Sequence, residues 1–429
     1  MSTDTATATP PKAPRVPFLK MPLLIIASGC IIGAIAFGPR SSLGLFMQPM
    51  IGDFGWGREA FAFAFALQNL IWGVAQPVAG ALADRYGTPV VLAGGAVLYA
   101  LGLVAMTQAG TPLLLVLAVG ILMGFGLAGA SFNLVVTALG KIMPHHLQAA
   151  ALGAATAAGS FGQFLFAPAS VALMGAFNWQ VAAYVFAAAV LLIVVIAQML
   201  QTPRSMPASG KRDVGAADTP QTQSLVSALR EAFGHRSYVL LVLGFFTCGF
   251  QLAFVTAHLP SYLVDRGLPV STGGWVLAVI GLFNIFGALI AGWLSHRMPN
   301  RYILSGIYMI RAISIAIFIS VPLSPTSAII YGMVTGLTWL STVPPTTSLV
   351  NVMFGIRWLA MLYGFAFFSH QVGGFLGVWL GGIAFERTGS YDLVWYLSIM
   401  FGVLSALINL PIVERPVQRA NFQPSPAAI

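Results

Sequence analysis

Between residues 22 and 413 the chain contains twelve apolar stretches: 22–48, 59–83, 88–108, 112–138, 147–173, 179–200, 238–264, 272–296, 301–321, 326–352, 357–384 and 391–413. A helix of roughly 20 apolar residues crosses the hydrocarbon core of a bilayer. The stretches lack the two-residue alternation of a membrane barrel, so helices are expected. Charged residues make up 7% of the chain and its mean hydropathy is +0.87, whereas soluble domains carry about 25% charge. The bilayer is therefore the solvent. The predicted fold is an all-α membrane protein with twelve transmembrane helices in two pseudo-symmetric six-helix bundles.

Two observations divide and orient the chain. The longest polar stretch, 201–237, separates six apolar segments from the next six. The expected organisation is a disordered tail at 1–21, an N-terminal bundle at 22–200, a linker at 201–237, a C-terminal bundle at 238–413 and a tail at 414–429. Within the linker, "SLVSALREAFG" has the pattern of a short surface helix. The start of the chain lacks the basic–apolar–small order of a secretory signal. Of the 20 lysines and arginines, only Arg58, Arg266 and Arg387 fall on the side opposite the tails, and Arg40 and Arg311 fall within segments. The positive-inside rule then makes both termini cytoplasmic.

The halves also repeat. "GALADRYGTPVVL" begins at Gly80 and "GWLSHRMPNRYIL" at Gly292, 212 residues later. The same offset pairs Arg85 with Arg297, Gly162 with Gly374 and Tyr184 with Tyr396. Such a repeat suggests two parallel halves related by an axis along the membrane normal, with a solute site between them.

Several function classes drop out. The net charge of +9 sits in short loops, which reads as topology rather than as nucleic-acid binding. Cys30 and Cys248 lie in apolar segments without metal-ligand spacing, and no cofactor or metal is expected. "GFGLAG" at 124–129 matches a dinucleotide glycine pattern, but inside an apolar segment it reads as close helix packing. His145 and His146 fall in a loop and are expected to be solvated. An intramembrane enzyme is disfavoured because nucleophile and metal motifs are missing.

The stretch "GALADRYG", with Gly80, Asp84, Arg85 and Gly87, resembles the loop motif between helices two and three of the major facilitator superfamily. Thr88 and Pro89 stand where that family usually adds basic residues. "GWGREAFAFAFALQNLIWGVAQPVAGALADRYG" and "FFSHQVGGFLGVWLGGIAFERTGSYDLVW" are similar to bacterial members of its monocarboxylate-porter branch, which includes oxalate–formate exchangers. The resemblance implies a transporter of small organic anions in a bacterial inner membrane, acting as a single copy by alternating access. It implies that helices 1, 4, 7 and 10 line the cavity, 2, 5, 8 and 11 flank it, and the others lie outside.

The residues themselves sharpen this. Arg40 lies inside the first segment, where an arginine at the bilayer centre costs about 2.5–3.5 kcal/mol on insertion scales. It is either a structural cation on backbone carbonyls or a fixed cation that grips a carboxylate. The resemblance favours the second reading, because the branch commonly keeps a cation there. All eleven acidic residues lie in tails, loops or segment ends. No carboxylate is in position to neutralise Arg40 in mid-membrane, and buried charges are normally paired.

His370 is a core histidine or an anion and proton site. Counting from Tyr363 and Gly364, it falls where related oxalate exchangers have a lysine. Asn133, Gln163, Gln251 and Asn284 are candidate cavity residues, each equally readable as interhelical glue. Gln68, Asn69 and Gln371 are mid-membrane polar residues of the same kind. Eukaryotic relatives have an aspartate near Asn284 with an arginine one turn on, where this chain has Ala288, so a proton relay through that aspartate does not transfer. Arg311 is expected to brace helices or to gate. The expected partners are a small organic anion, a proton carried by His370 or by the anion's own carboxyl, and the bilayer. Anion exchange without protons, drug export and a transport-inactive membrane sensor stand as alternatives.

Overall fold

The computed structural model describes residues 22–201, 225–355 and 358–417, so the expectations for the two chain ends and for linker residues 202–224 lie outside the described residues. The first segment is α1 (Pro22–Ser41) and α2 (Met47–Phe54), joined by a 3-10 turn at Leu43–Phe46. α3 (Arg58–Tyr86) and α4 (Thr88–Thr107) are the second and third. The fourth is α5 (Pro112–Leu115), a π-helical stretch at Val116–Leu122, α6 (Met123–Gly129) and α7 (Phe132–Ile142). Then come α8 (His145–Ala176), α9 (Trp179–Ile196) and the short α10 (Leu225–Gly234), where the linker helix was expected. The remainder is α11 (Arg236–Asp265), α12 (Val270–Ser295), α13 (Asn300–Ser320), α14 (Pro325–Thr338), α15 (Val343–Phe354), α16 (Leu359–Thr388) and α17 (Asp392–Asn409). No strand occurs among the described residues.

Eleven of the described helical spans are long and apolar enough to cross a membrane. The tenth segment, expected as a single helix over 326–352, is instead α14 and α15 with a break at Trp339–Thr342. Pro344 and Pro345 open α15, and a proline lacks the N–H that would continue the preceding helix. The freed polar groups are met by side chains. Arg311 Nη2 donates to Thr338 O and, at 2.6 Å, to Trp339 O. Leu340 N donates to Asn284 Oδ1 at 3.0 Å, and Ser341 Oγ donates to Leu337 O at 2.6 Å. Inside a bilayer, irregular backbone persists only where such partners exist. His146, expected in a loop, stands exposed in the first turn of α8.

Two hydrophobic cores form, one mostly within 25–200 and one mostly within 232–412. Across them α3 packs on α16 and α8 on α12. In the second core α11 and α16 meet backbone to backbone. A Cβ on Gly249, Gly373 or Gly377 would collide with the carbonyl of His370, Phe246 or Phe250 respectively, and one on Gly381 would strike the His258 ring.

The two cores touch along one side of the membrane, opposite the described chain ends. There Gly44 backs onto the Thr256 and Ala257 carbonyls, Gly274 onto Val171, and Gly382 onto Ala62. Toward the other side, a cavity of about 200 Å³ opens between α8, α12 and α15, lined by Thr156, Ser160, Ala288 and Pro344 among others.

Candidate functional site

Arg40 lies in the last turn of α1, where Pro39 sits within the helix and the chain turns into the 3-10 segment. Ser41 and Ser42 hydroxyls donate to Gly38 O at 2.7 and 3.2 Å, satisfying a carbonyl that this kink frees. The arginine is 8% exposed. Its Nη2 donates to Asn69 Oδ1 on α3, and its guanidinium lies 4.8 Å from the Trp72 ring centroid and 5.8 Å from that of Phe65. Arg40 Nε is buried without a partner, and no carboxylate forms an ion pair with Arg40 among the described residues.

The surrounding side chains are themselves held. Asn69 Nδ2 donates to Phe65 O at 2.8 Å. Trp72 Nε1 donates to Gln76 Oε1 at 2.8 Å, and Gln76 Nε2 donates to Ser131 Oγ at 3.0 Å. Ser131 caps α7 by accepting from Leu134 N at 3.2 Å. The break in the fourth segment thus orients the indole that covers Arg40.

His370, on α16, is half-buried. Its Nδ1 lies 3.1 Å from Gln371 Oε1, and its ring stacks on Phe367 at 5.9 Å and tilts against Phe245 at 5.1 Å. Phe367 in turn meets Trp72 edge to face at 5.5 Å. Arg40 and His370 are therefore joined through Trp72 and Phe367 across the contact between the halves. Gly73 makes that contact possible, since a Cβ there would lie 2.8 Å from Gln371 Cβ.

The other candidates disperse. Asn133, half-buried on α7, has no side-chain partner among the described residues. Gln163 Nε2 donates to Leu277 O at 3.2 Å, tying α8 to α12. Asn284 Nδ2 donates to Ser160 Oγ at 2.8 Å, while its oxygen serves the break before α15. Neither hydrogen-bonds to Arg40, and Gln163 Oε1 is buried without a partner. Gln251 Nε2 donates to Ser398 O at 2.8 Å, and this residue lines a small cavity with Arg311 rather than with Arg40. In the loop motif, Gly87 closes α3 at φ 97°, a conformation that favours glycine. Lys141 Nζ contacts Asp84 Oδ1 at 2.5 Å, both exposed, and Arg85 lies over Tyr86 at 5.2 Å. A Cβ on Gly80 would touch nothing.

A second polar group, on the closed side, has no counterpart in the sequence reading. Arg58, opening α3, donates from Nη1 to Asp265 Oδ2 at 2.5 Å and from Nη2 to Asp265 Oδ1 at 2.6 Å. Nη1 also donates to Tyr391 Oη at 2.7 Å, and the guanidinium lies 3.6 Å from the Phe385 ring centroid. Arg58 N donates to Glu386 Oε2 at 3.0 Å, and Gln48 Nε2 donates to Asp265 Oδ1 at 3.2 Å. The group clamps α3 to α11 and α16. Its acids were visible only as residues at segment ends, because pairing across more than 200 positions leaves no local signal.

Comparison with known proteins agrees with this architecture. Residues 29–378 match the Major Facilitator Superfamily. The uncharacterized MFS-type transporter YcxA of Bacillus subtilis is 27% identical, over 93% of this chain and 97% of that protein. Human monocarboxylate transporter 11 is 26% identical, over 87% of this chain and 79% of its own. A bacterial homolog of the human lysosomal transporter Spinster, in an inward-facing and unoccupied conformation, has the same fold with TM-score 0.71 at 16% identity, covering 92% of this chain and 97% of that one. The D-xylose–proton symporter follows at TM-score 0.67 and 15% identity, covering 91% and 97%. With its helical architecture and a match over most of its length, this chain belongs to the Major Facilitator Superfamily of membrane transporters.

Proposed function

We propose that the protein carries small organic anions, monocarboxylates foremost, by alternating access in a bacterial inner membrane. The bundles 22–200 and 238–413 rock about the anion while the linker 201–237 tethers them. In the orientation read from the lysines and arginines, both termini are cytoplasmic. The contact around Arg58 then closes the outer side, and the state described above faces inward. Arg40 is the carboxylate ligand. His370 meets the anion from the other half and exchanges the proton where transport is proton-coupled.

The observation that carries the reading is the incomplete pairing of Arg40. One nitrogen is given to a neutral amide, Nε has no partner, and no ion pair forms with a carboxylate among the described residues. An arginine in oil gains most from a carboxylate, by two charge-assisted hydrogen bonds. Likeness to proteins named monocarboxylate transporters supports the same cargo.

The test is counterflow in proteoliposomes with formate, acetate, lactate, pyruvate, oxalate and aromatic acids, with and without a pH gradient. At least one labelled monocarboxylate is expected to exchange. Arg40→Gln is expected to slow it about 10- to 100-fold, the scale of one lost charged contact. His370→Gln is expected to flatten its pH dependence. Movement of none of these acids, or wild-type exchange by Arg40→Gln, would remove the proposal.

A further inference from the structure

Arg311 leaves two of its nitrogens unused by protein. Nη2 serves the carbonyls of Thr338 and Trp339, but Nε and Nη1 are buried with no partner. Facing the same small cavity is Gln251, whose Nε2 is committed to Ser398 O and whose Oε1 is buried with no partner. Both side chains are more than nine-tenths buried, at 4% and 3% exposure. The cavity lies between α11, α13 and α14, has a volume of about 10 Å³, and is completed by Tyr331, Thr335 and apolar side chains.

We infer that this cavity is a binding site for one water molecule, held between Arg311 and Gln251. The volume is that of a single water, since about 10–15 Å³ on this scale accommodates one. It is too small for a carboxylate, so Arg311 is not a second ligand for the organic anion in this state. The donor and acceptor pattern selects water over a halide. The water oxygen accepts from Arg311 while one of its hydrogens is donated to Gln251 Oε1. A halide satisfies only the arginine and faces the amide oxygen with like partial charge. Because Nη2 of the same guanidinium caps the broken end of α14, the water completes the group that holds the break.

Filling a dry cavity stabilises a protein, whereas displacing a bound water from three polar atoms destabilises it. Val255 lines the cavity, and Val255→Leu adds one carbon to it. Its melting midpoint in detergent is expected to fall by about 1–3 °C relative to wild type. A map at about 2 Å is expected to show a water within hydrogen-bonding distance of both side chains, and bromide exchange is expected to leave that density without anomalous signal. A higher midpoint for Val255→Leu with an empty map would mean a dry cavity. Anomalous bromide density would mean an anion site. Either result overturns the inference, and neither depends on which solute the protein carries.

Discussion

Arg40 and Arg311 form a pair of buried arginines in opposite halves, 8% and 4% exposed, and neither forms an ion pair among the described residues. Their partners differ in kind. Arg311 is spent on the main chain, capping two carbonyls at the break between α14 and α15 inside one half. Arg40 is held by one side-chain amide and an indole face, next to the contact between the halves. A cation committed to backbone carbonyls maintains a fold. A cation held by side chains beside the contact between the halves fits the proposed role of ligand for an anion. Burial and missing counter-ions, which the two share, do not distinguish these roles.

That contrast breaks or sharpens under substitution. The largest effect is expected from Arg311→Leu, which strands two buried acceptors at about 1–3 kcal/mol each. Unfolding in detergent is expected to show a loss of about 2–6 kcal/mol, and wild-type stability would dissolve the distinction. Next comes Arg40→Gln, whose stability is expected to stay within about 1 kcal/mol of wild type, because glutamine keeps a donor for Asn69. Its cost falls on anion exchange, slowed about 10- to 100-fold in liposomes. An equal fall in melting midpoint for both variants would make Arg40 structural too. The smallest effect is expected from Asn69→Ala. It frees Nη2 and loosens the guanidinium, raising the KM for the exchanged acid about 3- to 10-fold, the scale of one hydrogen bond of about 1 kcal/mol. An unchanged KM would separate Asn69 from the site.

The apolar runs and the half-repeat made the architecture legible. Gly162 and Gly374, paired by the 212-residue offset, each sit on a helix pressed against the first helix of its own half. Pro344 and Pro345 were also in view, but the break they open was not, because its cost is met by Arg311 and Asn284, which are distant in sequence. Arg40 stood out as a charge in oil. Its partner Asn69 and the cover from Trp72 depend on how α3 lies along α1, which no spacing within one helix encodes. The clamp at Arg58 escaped for a related reason: Asp265, Glu386 and Tyr391 end or follow other helices and meet only after the halves assemble.

The glycines that let α11 and α16 touch backbone to backbone have a mechanical consequence. Helices locked at such close range cannot slide past each other without steric collision, so they behave as a single stiff lever. One end of that lever carries Asp265 and Glu386, and its middle carries His370. In the transport cycle proposed above, release of Arg58 at the closed side would tilt the imidazole relative to Arg40 without slack, and a solute held between the two would resist that tilt with the same stiffness.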